Sequence, residues 1–303
     1  MKLSVTRSDL DETVSSLVGN FSIEALPKDT QKLDDLRDHL PAGTRVYVAY
    51  TSGSTSEIVD AAEKLRHQGM EPVPHIPARR FSSHDELREF LGKLAARAAV
   101  KQVLLVGGDV SRPEGPYAAS LDVLRTGMLE GHGIEAVGLA GHPEGHPAVS
   151  RDELRNALID KCEYADKAGL EVSLVTQFLF DTDKLFAWHA DFVEKTAPGI
   201  AVDVGLPGLA KITTLMRFAK DCGVGASLGM LTRHAGRAFK LATSFSPEDT
   251  LLDLAGGVHK AGRPIFRSVH FYPFGSFERT ADWLRVLRSQ GAVHDPRDLA
   301  EAL

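Results

Sequence analysis

Short apolar runs alternate with amphipathic stretches along almost the whole chain, and the alternation repeats eight times. Phe21–Leu26 (FSIEAL), Arg45–Thr51 (RVYVAYT), Glu71–Ala78 (EPVPHIPA) and Gln102–Asp109 (QVLLVGGD) form the first four runs. Glu135–Pro143 (EAVGLAGHP), Val172–Asp181 (VSLVTQFLFD), Ala201–Gly208 (AVDVGLPG) and Phe266–Phe274 (FRSVHFYPF) form the second four. Runs of this length, rich in Val, Leu and Phe and bounded by turn residues, read as buried strands. Helical patterns fill the gaps: Pro27 to Leu40, Ser56–Gly69, Ser83–Ala99, Tyr117–Leu129, Ser150–Gly169, Thr182–Thr196, Ile212–Gly223 and Phe277–Gly291. In the third of these Leu87, Phe90, Leu91 and Leu94 share a face and Ser83 stands as N-cap, while Ser150 and Glu153 have capping-box spacing. Two more helical patterns, Thr232–Thr243 and Pro247–Gly262, precede the last strand.

Strand and helix in strict alternation predict a parallel α/β protein. With 303 residues and no Pro/Gly/Ser linker, one closed (β/α)8 TIM barrel over residues 1–303, with extra helices before strand eight, is favoured over an open doubly wound sheet. No GxGxxG opens the first strand–helix turn, which counts against a dinucleotide-binding open sheet. A net charge of −6 argues against nucleic acid as a partner. No apolar run approaches the ~20 residues of a membrane span, and the N-terminus lacks a signal-peptide core. Cys162 and Cys222 make neither a disulfide framework nor a metal spacing, so a reduced cytoplasmic setting is expected. The sequence leaves a homo-oligomer open.

In such a barrel chemistry belongs at the C-terminal ends of the strands. The polar residues predicted to collect there are Glu24, His75, Asp109, His142, Glu144, His146, Gln177, Asp181, His270 and Tyr272. Glu24 interrupts an apolar strand; in a dry mouth its pKa would rise and suit a general acid, whereas the alternative is a loop cap or ion pair. Asp109 is expected to face the same cavity, although Asp after Gly107–Gly108 is also ordinary turn chemistry. Gln177 is either a core amide satisfied by backbone or a ligand contact. His142 and His146 flank Glu144, but Pro143, Gly145 and Pro147 forbid the helix a HExxH zinc site needs, so a rigid pocket-lining loop is favoured and no metal is expected. Gly107–Gly108 would allow a close backbone approach to a ring or phosphate. Ser52 and Ser54 have no GxSxG context. Tyr272, Phe274 and Phe277 form either an aromatic wall for a flat ligand or packing for the last helix.

The ordered strand ends resemble the methylenetetrahydrofolate reductase family. The match runs from about Phe21 to Phe277: Ser22–Ile23–Glu24, Pro74–His75, Gly108–Asp109, Pro143–Glu144–Gly145–His146–Pro147, Thr176 through Asp181, and His270–Phe271–Tyr272. The resemblance implies a (β/α)8 barrel that transfers hydride from NAD(P)H to 5,10-methylenetetrahydrofolate, giving 5-methyltetrahydrofolate, in one-carbon metabolism and methionine biosynthesis. By the same resemblance Glu24 is the general acid and Asp109 the carboxylate that binds and tunes the pterin. Gln177, Asp109, Tyr272, Phe274 and His75 become substrate-binding candidates. Tyr50, Gly108, His142, His146 and Gln177 fall at cofactor-binding positions.

The family expectation of FAD is weakened by the departures. Gly107 stands where the family has arginine, His142 where it has tyrosine, and Ala165 where it has lysine; Ala49–Tyr50–Thr51–Ser52 replaces T-Y-G-A. The expected protein is therefore a divergent reductase with FAD weakly bound or absent, unless Arg79, Arg80 or Lys161 restores the grip. Two alternatives stand beside it: the same chemistry run oxidatively from 5-methyltetrahydrofolate, and a non-catalytic folate-binding protein.

Overall fold

A computed structural model describes residues 6–50, 54–221 and 244–290. Its frame is a closed ring of eight parallel strands: β1 (Ser22–Ala25), β2 (Arg45–Val48), β3 (Glu71–Pro77), β4 (Gln102–Val106), β5 (Ala136–Gly141), β6 (Glu171–Thr176), β7 (Ala201–Pro207) and β8 (Ser268–Tyr272). Each strand pairs with its sequence neighbours, and β8 closes the ring on β1 with Ser22 opposite His270 and Ile23 opposite Phe271. This is the (β/α)8 barrel that the alternation predicts.

Side chains alternate across a strand with period two, so each strand sends one set outward to the helices and the other into the ring. Outward positions such as Ile23, Val46, Val48, Val204 and Phe271 join the main apolar core with the helices. Tyr47, Val73, Leu104 and Val175 form a separate cluster, the packed middle of the barrel interior.

One end of that interior is ionic. Asp203 on β7 is fully buried; it accepts from Arg267 Nε at 2.8 Å, Arg45 Nη1 at 3.1 Å and Ser268 Oγ at 2.7 Å. Burial alone would raise its pKa, but the Arg267 hydrogen bonds and the nearby Arg45 charge hold it below the usual carboxylate range.

Several elements differ from the sequence expectation for local reasons. Arg7–Gly19 is a helix where the sequence reading has only a polar lead-in; Thr6 and Asp9 close a capping box, and Val14, Leu17 and Val18 bury one face. The pattern from Pro27 to Leu40 yields a helix only over Pro27–Lys32, followed by a 3-10 turn at Leu36–Asp38. Tyr117–Leu129 divides into Ser120–Leu124 and Met128–Gly131, separated at Gly127 with φ +71. Strand six stops at Thr176, and Asp181 is the N-cap of the helix Thr182–Trp188. That helix continues as a π-turn, His189–Val193. Of the extra helices before β8, Glu248–Ala261 is present. Thr232–Thr243, Ser52 and Cys222 lie outside the described residues. No helix among the described residues is long and apolar enough to cross a membrane.

Asp203→Ala would leave the partly exposed Arg45 and Arg267 guanidinium groups facing one another without their shared anion. The expected loss is about 1.5–3 kcal/mol, read from urea unfolding, because the charge-assisted hydrogen bonds of the buried carboxylate are lost while the partly exposed guanidinium groups regain water. The wild-type contribution should be complete above the unfolded carboxylate pKa near ~4 and fade as pH falls through the lower folded value.

Candidate active site

The C-terminal mouth of the barrel encloses a cavity of about 400 Å³. Glu24, the last inward side chain of β1, lies opposite Tyr47 in the strand register and points into this space. Its side chain is 23% exposed, and its Oε2 lies 3.6 Å from Nε2 of His75 on β3. Burial alone pushes the Glu24 carboxyl up to about 8. Partial exposure and a large shift are compatible: the carboxyl opens toward the cavity, while the apolar walls formed by Leu104, Val106 and Val175 deny the charged form its solvation. The same walls push the His75 imidazole down to about 4. At neutral pH the site therefore presents an uncharged acid beside an uncharged imidazole.

Gln177 begins the loop after β6 and lines the cavity. Its backbone N–H donates to the Gly141 carbonyl at 2.8 Å, and its side-chain oxygen accepts from Phe178 N at 3.1 Å. The amide NH2 is thus the group with donors to offer. Tyr272 ends β8 and donates from its hydroxyl to the Thr176 carbonyl at 2.9 Å, tying the two strand ends together. Phe274 stacks near Tyr272, with ring centres 6.1 Å apart, and meets Phe178 and Phe218 at 4.8 Å. These rings form one wall of the mouth. Phe277, the third aromatic of the sequence expectation, is buried in the main core instead.

Gly205 on β7 makes this arrangement fit. A Cβ there would lie 2.3 Å from the Thr176 carbonyl oxygen and 2.8 Å from the Tyr272 ring, closer than any side chain tolerates. His270 lies deeper, fully buried, with Nδ1 2.8 Å from Ser22 Oγ, and burial pushes it down to about 3.

Asp109 is placed differently from the expectation that it shares a cavity with Glu24. It follows Gly108, whose φ of +100 turns the chain, and it is 76% exposed outside the residues lining the Glu24 cavity. Arg80 grips it through Nε–Oδ1 at 3.0 Å and Nη2–Oδ2 at 2.9 Å. That pairing holds its carboxyl below the ordinary range, so Asp109 stays ionised. Tyr50, half-buried beyond β2, is also outside the cavity lining, and burial raises its phenol. Lys28 and Asp29, just after β1, and Arg217 and Phe218 on the helix Ile212–Asp221 line the mouth without having been singled out from sequence. The first pair was findable, since strand-to-helix loops surround the mouth. The second pair enters only through tertiary packing.

His142 lines the Glu24 cavity and also a second cavity of about 420 Å³, with His146, Arg151, Lys184, Trp188 and Phe192. The His142 and His146 rings meet edge to face at 4.9 Å, and His146 Nδ1 accepts from the Ala148 N–H at 3.1 Å. Burial lowers the pKa of both. Two nearby cations, Arg79 and Arg80, are committed. Arg79 donates to the carbonyls of Ala118 at 2.8 Å and Val110 at 3.4 Å. Arg80 holds Asp109 and Glu114, and burial depresses Lys161. A diphosphate needs charge-assisted donors, and Arg79 and Arg80 would have to break existing bonds to supply them.

The family model for methylenetetrahydrofolate reductase matches residues 20–226. The chain belongs to the methylenetetrahydrofolate reductase family. The matched span runs from β1 through β7 and so contains Glu24, His75 and Gln177. Among solved structures, a Clostridium thermocellum protein that binds two copies of 5-methyl-5,6,7,8-tetrahydrofolic acid superposes with a TM-score of 0.59 at 11% identity, covering 92% of this chain and 97% of that one. A family 18 chitinase from Crocus vernus gives a TM-score of 0.50 at 9% identity, over 89% of this chain and 98% of that one. Identities this low show the shared barrel alone.

Glu24 makes stability fall with rising pH. Its folded pKa of about 8 lies above the unfolded carboxylate value, so between the two the native state holds a proton that the unfolded state has lost. Folding is then progressively disfavoured from ~pH 4.5 to 8. Glu24→Gln removes this dependence. Its urea midpoint relative to wild type should therefore rise on going from about pH 5 to about pH 8.5.

Proposed function

We propose that the protein is an oxidoreductase that reduces 5,10-methylenetetrahydrofolate to 5-methyltetrahydrofolate with NAD(P)H. The observation that carries this reading is the Glu24 carboxyl, kept protonated at neutral pH at the mouth of a family barrel. The substrate is a cyclic aminal. Proton transfer from Glu24 to one ring nitrogen breaks its bond to the methylene carbon and leaves an iminium at N5. Hydride from the dihydronicotinamide then adds to that carbon, giving the N5-methyl group and the oxidised nucleotide. Glu24 is left as carboxylate and regains its proton from water. An acid with a pKa near the working pH suits this step, since it is protonated yet willing to give the proton up.

The remaining residues bind and align. The Gln177 amide donates to the pterin, and Tyr272 and Phe274 offer ring faces to a flat ligand. Holding donor and acceptor carbons in near-attack geometry supplies much of the rate. Asp109, ionised on Arg80, acts through the field at the rim, not as a proton donor. The departures at the family's flavin positions, Gly107, His142 and Ala165, together with the engagement of Arg79 and Arg80, favour hydride passing directly from nucleotide to folate.

A second reading is a folate-binding protein without turnover. It is favoured by the folate bound in the structurally similar Clostridium thermocellum protein. The two separate in one comparison. Purified protein should show no stoichiometric flavin spectrum and should oxidise NAD(P)H with methylenetetrahydrofolate when no flavin is added. Glu24→Gln should bind 5-methyltetrahydrofolate like wild type while kcat drops about 10²–10⁴-fold. A yellow protein whose activity disappears with its flavin overturns the direct-transfer reading. Folate binding with no turnover in wild type leaves the binding protein.

A further inference from the structure

Two imidazole nitrogens inside the barrel, Nε2 of His75 and Nε2 of His270, are buried without a hydrogen-bond partner among the described residues. His270 is anchored through its other nitrogen to Ser22. For His75, the polar atom at hand is Glu24 Oε2, 3.6 Å from Nε2. That separation is a few tenths of an ångström beyond a hydrogen bond, and catalytic contacts in ligand-free sites are commonly long and tighten on binding.

We propose that His75 is the positioning residue for Glu24: its Nε2–H donates to Oε2, which leaves the acid's proton on Oε1, toward the ligand. The inference rests on the reading of Glu24 as the proton donor and adds the group that aims it. Burial keeps the imidazole neutral, so it carries a single N–H, and the partnerless Nε2 is where that hydrogen finds an acceptor. The bond is a modest neutral one while Glu24 holds its proton. It becomes charge-assisted, about twice as strong, as the proton leaves Oε1 and charge develops on the carboxylate. His75 therefore favours the state after transfer over the state before it, the differential interaction that lowers a barrier.

Among the described residues, the other groups facing Glu24 do not substitute for this donor. Tyr47 on β2 is held neutral by burial, and its hydroxyl lies near Gln102 Nε2, 3.4 Å away. His270 on β8 is neutral and bonded to Ser22, and the Tyr272 hydroxyl is committed to the Thr176 carbonyl. Lys28, Asp29 and Arg217 lie on the mouth wall, and none makes an ion pair with Glu24 within 4 Å.

The test follows Glu24 itself, without substrate. In protein carrying carbon-13-labelled glutamate, difference infrared spectroscopy titrates the protonated carboxyl band, assigned by its loss in Glu24→Gln. Wild type should titrate near 8. His75→Phe, which removes the donor, should raise the midpoint by about one unit, a roughly tenfold smaller acid dissociation constant. His75→Gln, which returns an amide N–H, should restore it. In turnover assays His75→Phe should lower kcat about tenfold with KM held, shift the alkaline limb of the pH profile, and be largely rescued by His75→Gln. An unchanged midpoint in His75→Phe, or a defect confined to KM, overturns the proposal and makes His75 a substrate contact. If wild type shows no turnover, the reductase reading fails while the titration still decides the role of His75.

Discussion

Eight parallel strands closed into a ring aim every second side chain at an interior that water does not fill, and each polar group placed there must find a partner or lose its charge. At one end Asp203 stays ionised because two guanidinium groups and a hydroxyl surround it. At the other, no cation among the described residues pairs with Glu24, so the same exclusion of water drives it to the protonated form. Desolvating a carboxylate costs several kcal/mol, and paired guanidinium groups at hydrogen-bond distance offset a penalty that a neutral imidazole cannot. One closed sheet thus carries two carboxyls with opposite behaviour, one ionised within an arginine cluster and one held protonated by burial.

The mouth is shaped by backbone constraints as much as by side-chain chemistry. Gly205 leaves room for the Tyr272 ring and for the chain leaving β6, so Gln177 turns into the cavity without continuing the sheet. Phe274 adopts φ +49, unusual for a bulky residue, at a cost of about 1–3 kcal/mol. Its ring contacts with Phe178 and Phe218 at 4.8 Å return about 0.5–1.5 kcal/mol each. The aromatic wall is therefore held in place by its own packing before any ligand arrives. At the rim outside it Arg79 is tied to the Ala118 carbonyl and Arg80 to Asp109 and Glu114.

The eight-fold alternation of apolar runs and amphipathic stretches is a local property, and it determined the barrel: strand count, order and the end where polar residues gather follow from period and connection alone. The breaks in apolar runs likewise marked Glu24 and Gln177. What the sequence could not carry was direction and distance. Asp109 and Glu24 both stand at strand ends, yet a left-handed glycine turns Asp109 outward onto Arg80 while Glu24 points inward. The closeness of His75 to Glu24, the Asp203 cluster with Arg45 and Arg267, and the entry of Phe218 into the mouth join residues tens to hundreds of positions apart. Periodicity decides which face of a strand a residue occupies; only closure of the ring decides what it meets there, and hence whether a carboxyl is paired and charged or alone and protonated.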